Sequence, residues 1–194
     1  PLTAGPDEDL IIHQYGTSTL TIDSIIADNA GSTAGNALVK TGNGVLELLG
    51  ANTFTGRTFL NGGTLRISSD ANLGMAPGAP VVDAIYINGG VIDTTADFTL
   101  DANRGITLGG NGGEISVAAA TTLTYGGVIA SEPNVIAGYA ANPAVGRIDK
   151  TGEGTLVLTN INNSYTGLTE VKEGTLLWAP TFAGSTTSSV FGSN

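Results

Sequence analysis

The chain has 194 residues, a net charge of −10 and only 12% charged residues, seven of them basic. That balance supplies no basic patch for nucleic acid or an anionic membrane surface, and so few charges among so many aliphatics exclude a disordered chain. The absence of cysteine excludes disulfides, thiol catalysis and zinc–thiolate sites.

Glycine is abundant, at 29 residues, and the charged straight-chain residues that favour helices are scarce. Val, Ile and Thr lie between Gly- and Asn-rich turns, which predicts β structure. The acidity reads as solubility, with calcium or a basic partner as alternatives. No apolar run approaches the ~20 residues of a membrane helix. Pro1 is not a natural start, so the sequence reads as a segment whose targeting signals lie elsewhere. A cysteine-free chain also suits passage through an oxidising periplasm.

Residues 1–9, PLTAGPDED, read as a lead-in or loop. Apolar residues return with Leu20, Ile22, Ile25 and Ile26, predicting one or two short strands, and DNAGSTAGN at 28–36 is a turn-rich connection. From Leu38 the pattern becomes regular. Gly44, Gly63, Gly90, Gly113, Gly154 and Gly174 each end a turn, and the residues two and four beyond each glycine are apolar except Thr94. They are Leu46, Leu48, Leu65, Ile67, Ile92, Thr94, Ile115, Val117, Leu156, Leu158, Leu176 and Trp178. Side chains two apart share a strand face, so these positions are expected to form one inward column. Asn-Gly-Gly at 61–63, 88–90 and 111–113 marks sharp turns. A local hairpin competes with a solenoid corner for that signal. The recurrence every 20–25 residues favours corners and predicts stacked coils, about eight of them, in a single unit over 10–180. Residues 128–147, VIASEPNVIAGYAANPAVGR, break the pattern and read as a loop leaving the coil, with TLTYGGVIA before it supplying an intermediate strand. Residues 181–194 read as a linker or frayed end.

Two stretches duplicate each other. KTGNGVLELLGANTFTGRTFLNGGTLRI at 40–67 returns as KTGEGTLVLTNINNSYTGLTEVKEGTLLW at 150–178, first at an offset of 110 residues and then of 111. The shared pattern, KTGxGxLxLxGxNxYTGxTxVxxGTLxV, resembles the autotransporter-associated β-strand repeat, also called the passenger-associated transport repeat. The first copy continues into SSDANLG at 68–74, as the family does; the second has an added residue at 162–164, Glu173 in place of a glycine, and no such run-out. The resemblance implies an all-β, right-handed parallel β-helix from the passenger domain of a Gram-negative type V autotransporter, located at the cell surface or secreted. It implies a C-terminal outer-membrane β-barrel translocator, absent here, as partner. It also implies a non-enzymatic stalk that assists export and folding. The alternative is an adhesin or self-association module that binds a host surface through a lateral face or the 128–147 loop.

Catalytic, metal and cofactor residues are expected to be none. His13 is the single histidine, too few for a Ser–His–Asp triad or a histidine-rich metal site. GGNGGE at 109–114 lacks the Asp and the tandem recurrence of a calcium β-roll and reads as a corner. Asp93, Asp97 and Asp101 are the densest acids, considered because some β-helices cleave polysaccharide with paired carboxylates; their spacing reads as solvated. Asp149 and Glu153 are expected to face solvent. Phe54 and Tyr165 match in the two copies and read as core or corner packing, with a carbohydrate-stacking platform as the alternative; Trp178 reads as a cap on the coil end or as a stacking partner for a following domain.

Overall fold

The computed structural model describes residues 1–132 and 146–180. Among these, the strands are short and glycine-punctuated, and every pairing is parallel. They gather into three sheets, the three long faces of a β-helix. The first face holds β1 (Leu10–His13), β3 (Leu38–Thr41), β5 (Thr58–Asn61), β7 (Val81–Ile87), β10 (Arg104–Leu108) and β13 (Ile129–Ser131). The second holds β2 (Leu20–Ile22), β4 (Val45–Leu48), β6 (Gly63–Ile67), β8 (Gly90–Thr94), β11 (Gly113–Val117), β14 (Ile148–Thr151) and β16 (Thr169–Val171). The third holds β9 (Phe98–Leu100), β12 (Thr122–Tyr125), β15 (Thr155–Leu158) and β17 (Thr175–Trp178). Parallel strands joined by crossovers take the right-handed sense. The second face is seven strands deep, close to the expected eight coils. The Asn-Gly-Gly stretches are corners rather than hairpins; Gly62, Gly89 and Gly112 take the positive φ values, +119°, +82° and +69°, that turn the chain there.

Each strand alternates inward and outward residues, and parallel register stacks like on like. On the second face Leu46, Leu65, Ile92 and Ile115 lie directly over one another and are all buried. Thr94 is tolerated in the neighbouring column because its hydroxyl donates to the Ser116 carbonyl at 3.2 Å. In the early coils the third face is irregular. Ile26, the segment 52–54 and a 3₁₀ helix at Asp70–Leu73 take the places that strands fill later, linked by Thr53 N to Ile26 O at 2.8 Å and Asn52 N to Ala71 O at 2.9 Å.

The expected single inward column is in fact two. Leu46 through Val117 line the second face, but Leu156 and Leu158 stack on Leu123 and Tyr125 of the third face, with Leu176 and Trp178 above them. The residue that continues the second-face column over Ile115 is Lys150. The second copy of the repeat therefore lies one face further round than the first. From Lys40 the register runs through Leu60, Ile87 and Leu108 to Ser131, four turns on the first face, and Lys150 lies one face beyond. The sequence repeat and the turn of the helix are incommensurate. Trp178 stands over buried Leu158 but is 41% exposed, at the edge of the described stack.

Residues 1–9 are tied down by a bridge between Leu2 and Ile26 and by Thr33 N donating to Asp7 Oδ1 at 2.6 Å. The expected loop at 128–147 narrows: Ile129–Ser131 is strand β13, held by pairing with β10 and by the buried Ile129. Residues 133–145 of that loop, and the tail 181–194, lie outside the described residues.

The coils are also clamped across two rungs. The Arg104 guanidinium, 5% exposed as a side chain, donates from Nε to Asp70 Oδ1 at 2.9 Å and from Nη2 to Oδ2 at 3.1 Å, and also to the carbonyls of Leu73 and Gly74. Arg104→Met strips Asp70 of its charge partner and those carbonyls of a donor. It is expected to cost about 3 kcal/mol, as removal of one half of a buried pair does, read as a lower urea midpoint at unchanged slope.

Candidate functional site

The first residue of each repeat, Lys40 or Lys150, is the feature that the two copies place most alike. Leu38 and Ile148 point inward, and the period of two carries Lys40 and Lys150 inward as well. Both lysines are buried, at 0% and 2% exposure. Lys40 sits in the first-face column between Ile12 and Leu60, and Lys150 in the second-face column between Ile115 and Val171. The methylene stem fills the aliphatic column and the ammonium reaches the corner. There its three donors meet three backbone carbonyls. Lys40 Nζ donates to Thr41, Gly42 and Gly62 at 3.0, 2.8 and 3.3 Å. Lys150 Nζ donates to Thr151, Gly152 and Glu173 at 2.6, 2.7 and 3.2 Å. Two carbonyls belong to the lysine's own corner and the third to the next coil's, so the ammonium latches one coil to its successor. Burial lowers the pKa of both lysines below the ordinary 10.5, and Glu173 partly opposes this at Lys150.

The next coil approaches this corner so closely that only glycine fits. A Cβ on Gly63, at φ +63°, would lie 2.2 Å from the Gly42 carbonyl oxygen and 2.7 Å from Lys40 Nζ; on Gly174, at φ +68°, it would lie 2.4 Å from the carbonyl oxygens of Gly152 and Gly154. The Gly-Thr-Leu of the motif is thus the second half of the latch.

The middle of the motif faces the preceding coil. Asn52 Oδ1 accepts from Ile26 N at 2.8 Å, and Asn163 Oδ1 accepts from Ile129 N at 2.9 Å. Phe54 and Tyr165 follow, 1% and 0% exposed, and the Tyr165 hydroxyl lies 2.6 Å from Thr169 Oγ1. These aromatics are core, not a stacking platform. Each copy therefore grips the coil below with asparagine and the coil above with lysine, and Asn52 also reaches the coil above by donating from Nδ2 to Asn72 O at 2.6 Å.

Outside the second latch lies a charged cluster. Asp149, expected in solvent, is buried: Arg147 donates to Oδ1 at 2.6 Å and to Oδ2 at 2.8 Å, and Lys172 to Oδ2 at 2.8 Å. The reason is that β14 has neighbours on both sides, β11 and β16. Arg147 also reaches Glu170 at 2.6 Å. Arg147, Asp149, Lys172 and Glu114 line a polar depression of about 340 Å³, in which Asp149 is paired with both cations and Glu114 accepts from the Thr151 hydroxyl at 2.7 Å. Glu153 is exposed as expected.

The remaining candidates are spread over separate places in the fold. His13 is exposed, hydrogen-bonded through Nδ1 to Thr41 Oγ1 and stacked on Tyr15. Asp93 pairs with Arg66 at 2.8 Å and accepts from Ser116. Asp97 accepts from Thr122 N at 2.6 Å, and Asp101 from Asn103 N at 2.8 Å. Their positions on β8, in the corner after it and after β9 keep them in separate roles. Gly109–Glu114 is a corner leading into β11. Among the described residues no group of three or more His, Asp or Glu is placed to hold a metal.

Lys150→Met keeps the apolar stem and leaves three carbonyls without their donor, so it is expected to cost on the order of 1–3 kcal/mol in urea unfolding. Burial pushes the Asp149 carboxyl up, but the hydrogen bonds from Arg147 and Lys172 outweigh it and hold the pKa below 3.8. The unfolded chain then binds more protons, so this stability is present above pH 3.8 and is lost as pH falls through the lower folded value. Asp149→Asn is expected to flatten that acid limb in thermal melts collected across acidic pH.

A family model described as passenger-associated-transport-repeat matches residues 38–67 and 148–177. The chain is also similar to the Adhesin BmaC autotransporter of Brucella suis biovar 1 (strain 1330), with 32% identity over 154 residues, which is 79% of this chain and 4% of that protein. The chain thus spans a small part of the length of that relative. No solved structure matches. The two latched corner pairs coincide with the two matched segments, and the chain carries two copies of the passenger-associated-transport-repeat.

Proposed function

We propose that the chain is a non-catalytic β-helical segment of an autotransporter passenger, serving as stalk and assisting export and folding at the surface of a Gram-negative cell. The observation that carries this reading is the lysine latch. A coil that is already folded offers two corner carbonyls and an ammonium, and the arriving coil supplies the third carbonyl and the glycine that fits against it. Folding then advances one coil at a time, each templated by its neighbour, which draws an extended chain outward through a translocator. That translocator is the C-terminal outer-membrane β-barrel of the same polypeptide.

A second reading is an adhesin module that contacts a host surface or another copy through a lateral face or the 128–147 excursion. The similarity to a protein named an adhesin favours it, as does the position of residues 133–145 in sequence between two strands of the stack, β13 and β14.

In the full-length protein, Lys40→Met combined with Lys150→Met is expected to lower surface display severalfold, scored by external protease accessibility, with total expression unchanged. Undiminished display by that double variant overturns the export role. Removal of 133–145 that abolishes cell binding while display persists establishes the adhesin reading instead.

A further inference from the structure

We infer that Asn61–Gly62 is a spontaneous modification site, an amide that converts to aspartate and isoaspartate in the folded protein, at the corner latched by Lys40. The chain holds four Asn-Gly pairs, at 43–44, 61–62, 88–89 and 111–112. In such pairs the glycine amide nitrogen attacks the asparagine Cγ. The bond to Nδ2 breaks and ammonia leaves with the proton from the glycine amide, closing a five-membered imide. Water then opens the imide at either carbonyl. The step needs a glycine N–H that is not held elsewhere, an asparagine side chain free to turn, and space for the ring.

Three of the four pairs fail these conditions. Gly44 N donates to Gln14 O at 2.8 Å, Gly89 N to Gly112 O at 2.7 Å and Gly112 N to Gly109 O at 2.9 Å. Their surroundings are filled as well. A Cβ at Gly44 would lie 2.5 Å from Gly16 O, at Gly89 3.2 Å from Asn111 Cβ, and at Gly112 2.7 Å from Arg147 O. The Asn88 carboxamide is also held, accepting from Asn111 N at 2.9 Å.

Asn61–Gly62 meets all three. Among the described residues the Gly62 N–H has no acceptor and the exposed Asn61 side chain has no partner. The atom nearest to a Cβ on Gly62 is Gly42 O, at 4.0 Å. The location gives the conversion a consequence. The Gly62 carbonyl is the third acceptor of Lys40 Nζ, so isoaspartate at 61 adds a main-chain methylene, and either product adds a negative charge, beside the first latch. The second copy carries Lys172–Glu173 at the matching place and is immune.

The test is peptide mapping by mass spectrometry of the folded chain held at mildly alkaline pH, with a parallel sample unfolded in urea. Folded, Asn61 is expected to convert about tenfold or more faster than Asn43, Asn88 and Asn111, equivalent to ~1.4 kcal/mol of barrier; in urea the four rates converge. Asn61→Gln removes the fast phase. Equal rates among the four sites in the folded chain overturn the proposal, as does an Asn61 excess that persists unchanged in urea.

Discussion

An ammonium group held by three main-chain carbonyls is the constraint on which each repeat depends. Placing a lysine in an aliphatic column is unfavourable unless the charge is met by hydrogen bonds. Here the partners are carbonyls that a sharp corner turns away from the sheets, so the lysine and the corner resolve each other's polar groups. The third carbonyl comes from the following coil. The arrangement therefore fixes the distance and register between successive coils, which the interchangeable Leu and Ile of the columns do only weakly. The glycines at 63 and 174 follow from the same geometry, because no side chain fits where the two corners meet.

The middle of the motif adds a hold on the preceding coil, and in the first copy Asn52 also donates to the following one. Asn52 and Asn163 each accept a main-chain N–H from the coil beneath, and the aromatic two residues later seals the interior where a strand is missing. A repeat is thus a joint spanning about three coils, with an acceptor below and a donor above. Between the joints, ordinary aliphatic stacking and the Arg104–Asp70 clamp suffice.

Much of this was legible in the sequence. The glycine-punctuated apolar pairs gave the solenoid, and the pattern shared by 40–67 and 150–178 gave the family resemblance. The burial of Phe54 and Tyr165 followed from their matched places. Less was legible about Lys40 and Lys150, although the signal was present: each lies two residues beyond an inward aliphatic, Leu38 or Ile148, and the period of two places it inside. Asp149 was misplaced because its burial depends on Arg147 and Lys172, and Lys172 sits a full coil away in sequence. The division of the inward column between two faces was not legible at all. Residue spacing records how far the chain has run but not which face it has reached: between β11 and β15 the described chain passes through β12 on the third face, β13 on the first and β14 on the second, so the glycine-led strand that follows falls on the third face.

That third of a turn between the copies bears on recognition. Whatever outer features the two repeats share point away from the rod in different directions. A flat surface, or a second rod lying alongside, meets the flank of one copy while the other is turned aside. The gain in affinity that comes from engaging two linked sites at once vanishes when geometry forbids simultaneous contact. Duplicating the repeat in this way strengthens the axis of the rod without making its side a two-point grip.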